Sequence, residues 1–419
     1  MKVGLISFHS FLQPGGVKRH ILGLSKEFKK RGIKIKIIVP RRKLKEYYGK
    51  DVILLGTSFP INFSGSRSDI DINFNPISIE RTLRKEKFDV LHFHNFSFPS
   101  ALQILASLAA ANTLNILTFH SNIEASQFLK KFPGIIYILK KICQWKIDGI
   151  IGVAPLCLKV FKNYSGPKIV IPNGIDLEEF NPRVPKLKNP ALLPKKGGVN
   201  ILFVGRIEER KGLIYLLRAY RILEKIHPPK FGGGLRLIIV GEGPLKEKCQ
   251  NYVKENNLRE VYFEGKVTET LPSYYKSADI FVSPAIFGES FGLVLLEAMA
   301  SGLPVVAFAN QGYKEFLSGK KGGNFLVKPR DSRELAKKIE ILIKNPKLRK
   351  EMGEWGKKEA KKYSWSKIAN QVLDFYKFCQ KKKTKKALTL DKILNIIYNK
   401  DILSWPKKYL RYLIGEFKS

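Results

Sequence analysis

The sequence predicts an α/β protein made of two doubly wound, parallel-sheet domains that face each other across a cleft. Three observations lead there. The chain has 419 residues, too many for one ordinary core and close to two domains of roughly 200 residues. Short β-rich runs alternate with longer helical patterns along its length, as parallel sheets covered by helices on both faces require. The alternation pauses between Pro182 and Gly198, where Pro185, Pro190, Pro194 and Gly197 stand among lysines in linker composition.

In the first half, the runs 2–7, 34–39, 89–92, 115–119, 149–153 and 168–171 read as strands; in the second, 199–204, 235–240, 261–263, 280–283, 304–308 and 324–327 do. The expected domains are 1–182, a linker over 183–198, and 199–363, followed by a crossover helix over 364–380 and a basic amphipathic tail over 381–419. Ligands are expected in the cleft that faces the carboxyl ends of both sheets.

Apolar residues make up 44% and aromatics 11%, which excludes a disordered basic chain. The four cysteines, Cys143, Cys157, Cys249 and Cys379, lie far apart with no C-x-x-C, so a disulfide scaffold and a zinc ribbon are excluded and reduced thiols in a cytoplasmic protein are expected. The opening Met1-Lys2-Val3-Gly4-Leu5-Ile6 lacks a small-x-small cleavage site and reads as a strand entering a glycine turn, not as a signal peptide. The uncharged stretch 95–119 is interrupted by Pro99, Gln103, Asn112 and Asn115 and reads as a buried helix followed by a buried strand; a membrane span needs roughly 20 mostly apolar residues.

The formal net charge is +39, from 75 Lys and Arg against 36 Asp and Glu. Such a surplus attracts anionic lipid, nucleic acid and nucleotides. It clusters over 26–50, over 128–146 and in the tail from Lys381. In the middle cluster, Lys130, Lys131, Lys140 and Lys141 lie among Tyr137, Ile138 and Trp145, which suits the headgroup layer of an anionic bilayer; a solvated helix with one packed face is the plainer alternative. Nucleic-acid binding would need an aromatic and basic recognition motif, and none is visible.

Several motifs carry chemistry. Pro14-Gly15-Gly16-Val17 follows the first strand and opens a helix, where glycine lets backbone N–H groups approach an anion. Arg206 closes strand 199–204 and Lys211 opens the next helix, so two cations stand at the mouth of the sheet and suit a diphosphate whose charge grows as its bond breaks. Phe287-Gly288-Glu289-Ser290-Phe291-Gly292-Leu293 follows strand 280–283 and leads into an apolar helix bearing Glu297. The N–H groups of Phe291, Gly292 and Leu293 would then face the cleft. A buried Glu297 needs partners, either ribose hydroxyls or a neighbouring lysine. His120 ends strand 115–119 and points toward the cleft. His92 and His94 end another strand; with His120 they come from separate strands without a carboxylate partner, so no metal set is assigned. Asp69-Ile70-Asp71 reads as an exposed hairpin.

With Asn173-Gly174-Ile175-Asp176, Gly241-Glu242-Gly243-Pro244 and the E-x7-E pair Glu289 and Glu297, these residues resemble the retaining glycosyltransferases of family 4 (group 1), which have the two-domain GT-B fold. The resemblance runs from residue 1 to about 378. Within the family, Ser10-Phe11-Leu12-Gln13-Pro14-Gly15-Gly16-Val17, Leu91-His92-Phe93-His94 and Thr118-Phe119-His120-Ser121 are most similar to phosphatidylinositol mannosyltransferases. It implies Arg206 and Lys211 on the donor diphosphate, Glu289 on sugar hydroxyls, Glu297 on ribose, His120 beside the transferred sugar, Gly16 against the diphosphate and the backbone near Val267 on the base. His9, Gln13, Asn95 and Ser121 are expected on the acceptor side, Asn95 standing where many relatives carry an acid. The donor implied by the resemblance is a nucleotide-diphosphate sugar, GDP-mannose by preference or a UDP-sugar, with no further cofactor expected. The expected acceptor is a membrane lipid or lipid-linked glycan, or alternatively a soluble glycan, and the protein would sit peripherally on the inner face of the cell membrane.

Overall fold

The computed structural model describes residues 1–12, 15–63, 66–96, 99–122, 133–181, 183, 185, 187, 198–227 and 234–399. Side chains are described over the same residues except 61–63, 66–68, 133, 135 and 384–399. Gln13, Lys130, Lys131 and the tail from Lys400 therefore lie outside the described residues. The chain forms two compact units, Met1–Val372 and Leu373–Ser419.

The first unit holds two sheets. The strands of the first are β1 (Lys2–Ser7), β2 (Lys34–Arg41), β3 (Val52–Phe63), β4 (Ser66–Ile72), β5 (Val90–His94), β6 (Leu114–Phe119), β7 (Gly149–Gly152) and β8 (Lys168–Val170). Their spatial order is β4-β3-β2-β1-β5-β6-β7-β8, parallel throughout except for the antiparallel β3–β4 edge hairpin. The second sheet has β9 (Val199–Val204), β10 (Leu235–Val240), β11 (Val261–Gly265), β12 (Ile280–Ser283), β13 (Val305–Phe308) and β14 (Leu326–Val327), ordered β11-β10-β9-β12-β13-β14 and all parallel. Strands buried on both faces become continuous apolar runs. β9 and β10 are buried at every position and apolar except at Asn200 and Arg236.

In each sheet the chain lays strands to one side of its first strand and then crosses to the other, so the order reverses between β1 and β5 and between β9 and β12. Ligands bind in α/β sheets at the carboxyl ends beside such a switch point. The segments leaving those ends are the ones that the sequence marked: Gly15-Gly16 after β1, His94 closing β5, Arg206 after β9 and Glu289 after β12.

Three expectations need correction. The hairpin expected at Asp69-Ile70-Asp71 is present as the long β3–β4 pair, but it is not exposed as expected. Asp69-Ile70-Asp71 lies in it, but only Ile70 is exposed; Asp69 and Asp71 are buried, because Asp69 takes the Arg42 guanidinium and the Ser10 N–H. The helix expected after Asn95 is two short ones, Ser100–Ala106 and Leu108–Ala111, parted at Ser107, whose extended backbone breaks the helical ladder.

The helix that begins at Trp365 runs to Asn399 and crosses the expected 380/381 border without a break. Its first residues return to the first sheet's domain. The Trp365 N–H donates to the Ile175 carbonyl at 3.3 Å, and the Arg31 guanidinium donates to the Ser366 carbonyl at 3.0 Å. The Trp365 ring lies where two glycines leave room. A Cβ on Gly23 would stand 2.1 Å from it, and one on Gly174 2.4 Å. Among the described residues no helix is long and apolar enough to cross a membrane.

Candidate functional site

A cleft of about 770 Å3 lies between the two sheets' carboxyl ends. Gly15, Lys18, Arg19, His20 and Trp365 line one side; Arg206, Lys266, Val267, Leu293 and Glu297 line the other. That volume suits a nucleotide-sized ligand.

The second-domain wall is built by glycine-permitted close approaches. Gly205 ends β9, and a Cβ on Gly241 would stand 1.9 Å from its carbonyl oxygen, so only glycine at 241, with φ +145°, lets the GEGP turn fold against this strand end. The next turn sets Arg206 half-exposed at the cleft, with Glu208 3.4 Å from its guanidinium. Lys211 is more enclosed. Its ammonium donates to Glu289 Oε1 at 2.7 Å, and Arg210 donates to the same oxygen at 3.0 Å. Burial raises the pKa of Glu289, but Lys211 and Arg210 outweigh it and hold the carboxyl below its ordinary range. Arg210 also pairs with buried Glu208. The sequence had marked Arg206 and Lys211; Arg210 turns a pair of cations into a network with two carboxylates.

Gly292, with φ +94°, precedes the Leu293–Ala300 helix, which carries no side-chain cap at its start. The Phe291 ring packs in the core against Phe316 and Tyr363, so only the backbone of Phe291 is available to a ligand. A Cβ on Gly16 would stand 3.1 Å from Leu293 Cδ1, which puts the glycine loop of the first domain directly against this helix start. Glu297 is fully buried, as expected. Its partners are Tyr275, whose hydroxyl donates to Oε2 at 2.8 Å, and Arg19 of the first domain, paired with Oε1. Of the two partners considered for Glu297, ribose or a neighbouring lysine, the cation present is instead an arginine from across the cleft. Glu297 and then burial act in opposite directions on Arg19, and the carboxylate wins, raising its pKa.

Beside Lys18 and Arg19, the first-domain wall carries a cluster of uncharged histidines. His20 Nδ1 lies 2.8 Å from Asn173 Oδ1, and His94 Nδ1 lies 3.2 Å from His120 Nε2. Burial lowers the pKa of all three imidazoles, that of His20 to about 4, so they are neutral at pH 7. The histidine group differs from the one considered in the sequence. His92 Nε2 is 2.6 Å from Thr118 Oγ1, and His20 takes its place beside His94 and His120. Asn95, expected on the acceptor side, uses its side-chain carbonyl to accept the His120 N–H at 2.8 Å and so positions that residue. His9 lies 3.9 Å from Asp69, and burial lowers its pKa although Asp69 opposes this. Ser121 is half-buried at the end of this wall.

Arg19, His20, Arg210 and Trp365 were missed. The signal for His20 was present: Gly16, His20 and Gly23 recur at i, i+4 and i+7, which places small residues and one imidazole on a single helix face. Arg19, Arg210 and Trp365 are placed by partners distant in sequence: Glu297, Glu289, and Gly23 with Gly174.

Lys140, Lys141 and Trp145 lie on the Pro133–Lys146 helix and are exposed; Trp145 is 75% exposed, Tyr137 61% and Ile138 49%. The Lys141 ammonium sits 5.6 Å from the Tyr137 ring centroid.

Residues 186–359 match the glycosyl transferases group 1 family, and residues 14–179 match glycosyltransferase family 4. The phosphatidyl-myo-inositol mannosyltransferase of Mycobacterium leprae is 32% identical over 388 residues, covering 90% of this chain and 96% of that protein. Among solved structures, sucrose-phosphate synthase of Thermosynechococcus elongatus superposes with a TM-score of 0.71 at 24% identity, over 90% of this chain and 98% of that one. The Anabaena protein HepE, solved in complex with UDP-glucose, gives 0.66 at 17% identity, over 90% and 99%. With two switch-point crevices facing one cleft and both halves matched in order, the chain belongs to the family 4 glycosyltransferases and has their GT-B fold.

Proposed function

We propose that this enzyme transfers mannose from GDP-mannose to an inositol phospholipid, with retained anomeric configuration, at the inner face of the cell membrane. The observation that carries the donor side is the strand end at β9. Arg206 reaches the cleft there, and Lys211 stands beside Gly205, held by Glu289. Their fixed charge serves a departing diphosphate, and a preorganised donor of this kind contributes about 3 kcal/mol to a transition state. The sugar–phosphate bond breaks as the acceptor hydroxyl attacks from the same face, and the hydroxyl proton passes to the leaving phosphate oxygen. Neither step calls for a protein nucleophile.

The remaining roles follow the cleft. Glu289 receives sugar hydroxyls, and the backbone of Phe291, Gly292 and Leu293 meets the phosphate and sugar. Val267 lies where the base enters, and Gly16 leaves room for the diphosphate. Glu297 takes the ribose by exchanging its Arg19 partner for hydroxyls. His120 lies on the sugar's other side, with His9, Gln13 and Ser121 toward the acceptor. The lipid assignment is supported by the relatives' acceptor and by the exposed Tyr137, Ile138 and Trp145 among Lys140 and Lys141. Amphipathic basic helices of this composition lie in anionic headgroup layers.

The test is a donor screen read by product mass, with GDP-mannose and UDP-sugars, each with and without phosphatidylinositol and in the presence of chelator. A mannosylated phosphatidylinositol formed from GDP-mannose is expected. Transfer only to soluble glycans would overturn the lipid assignment, and a product of inverted configuration the stereochemical one.

A further inference from the structure

We propose that His20, His94 and His120 form a zinc site in the first-domain wall of the cleft. One nitrogen from each ring lies within 4.8 Å of the others. Zinc holds imidazole nitrogen at about 2.0–2.1 Å, so closing the three rings on an ion asks each to move by less than about 1 Å.

The rings are prepared for ligation. His20 Nε2 and His94 Nε2 are buried and have no hydrogen-bond partner among the described residues. Buried polar atoms are nearly always paired, so two unpaired nitrogens within one histidine cluster call for an occupant. The His20 ring is oriented by Asn173, whose Oδ1 accepts from Nδ1 at 2.8 Å and leaves Nε2 as the lone-pair nitrogen. An outer-shell acceptor on the far nitrogen is the usual support of a metal-bound histidine. The Asn95 side chain fixes the His120 backbone, and the His20 and His120 rings stand 4.7 Å apart, edge to face.

The donor set selects the metal. Three neutral imidazoles without a carboxylate suit zinc and its neighbours, not magnesium or calcium, which prefer oxygen. His20 lines the cleft, which gives the ion its way in and leaves the fourth position to water. An occupied site engages His120, so zinc would also stop transfer. That consequence rests on the role proposed for His120, whereas retention of zinc does not.

The test uses the full chain loaded with zinc alone, or cobalt alone, then desalted. Equimolar retained zinc and the intense visible absorption of four-coordinate cobalt are expected. In the wild-type protein labelled at histidine, zinc should shift the side-chain 15N resonances of the His20, His94 and His120 rings and leave that of His227 in place. His20→Gln and His94→Gln should each lower retention at least tenfold, and His227→Gln should not change it. A wild-type protein that emerges without zinc, or one whose shifted rings are His9 and His227, overturns the site. The 15N measurement needs no variant, so it decides even where a substitution prevents folding. Zinc retained without loss of transfer would refute the role of His120 and leave the site standing.

Discussion

The two walls of the cleft solve the same problem with opposite chemistry. The second-domain wall is ionic: Glu208, Glu289, Arg206, Arg210 and Lys211 form one network at the end of β9. Beyond Lys18 and Arg19, the facing first-domain wall is built on a neutral cluster: three imidazoles, Trp365 and two glycines whose absent side chains make room for the indole. An ionic wall can stabilise charge that develops on a departing diphosphate. A neutral, tightly packed wall can shape the other side of a sugar but is intolerant of added volume and of protons. The two walls should therefore fail in different ways.

The largest expected effect is on the ionic wall. Lys211→Ala should lower kcat by about 100- to 1,000-fold, as loss of a preorganised donor does, while leaving the folded state intact. Steady-state kinetics beside a thermal melt checks both halves, and wild-type turnover would remove the assigned role. The neutral wall should respond in stability instead. Gly23→Ala puts a Cβ 2.1 Å from the Trp365 ring and should destabilise the protein by about 1–3 kcal/mol, despite alanine's better helix propensity. Gly15→Ala, whose added Cβ meets nothing within 4 Å, is its control in the same denaturation series.

Acid separates the walls further. His20 binds its proton near pH 4 when folded and near 6.5 when unfolded, so between those values the unfolded chain holds more protons. The stability is therefore complete above about pH 6.5 and is lost as pH falls toward 4. From pH 7.5 to 5 this one residue should account for about 2 kcal/mol, visible as a lower urea midpoint, and His20→Gln should flatten that slope. Across the cleft, Glu289 titrates below the ordinary carboxylate range, so its contribution should persist through the same window.

The smallest effect concerns a surface that belongs to neither wall. Trp145→Ser should leave stability within about 0.5 kcal/mol, since the side chain is exposed. It should weaken co-sedimentation with anionic vesicles several-fold. Unchanged binding to anionic vesicles, with the same affinity for neutral ones, would remove the helix from the membrane contact.

Much of the frame was legible in the sequence. β1, β9, β10 and β12 have the bounds that their mostly apolar runs predict, because strands buried on both faces read as short hydrophobic stretches. The β3–β4 hairpin was legible only at Asp69-Ile70-Asp71, and neither its length nor its burial was: it is an edge, it contains Gly56 and Pro60, and its polar positions are buried by Arg42 and Ser10 from elsewhere. Arg206, Lys211, Glu289 and Glu297 were legible because each stands within a short motif at a strand end or helix start. Arg19, Arg210 and Trp365 were not, since each is defined by a partner 79 or more residues away or across the cleft.

By itself, then, the sequence determined two parallel sheets, their switch points and the motif residues that leave them, since periodicity and turn chemistry act over a few residues. Only the tertiary structure decided which partners those residues have: Arg19 on Glu297, His20 beside His94 and His120, and Trp365 over Gly23 and Gly174. Burial sets those pairings, and burial is a property of the packed chain, because an isolated carboxylate or imidazole takes its charge and partners from whatever the folded neighbours leave it.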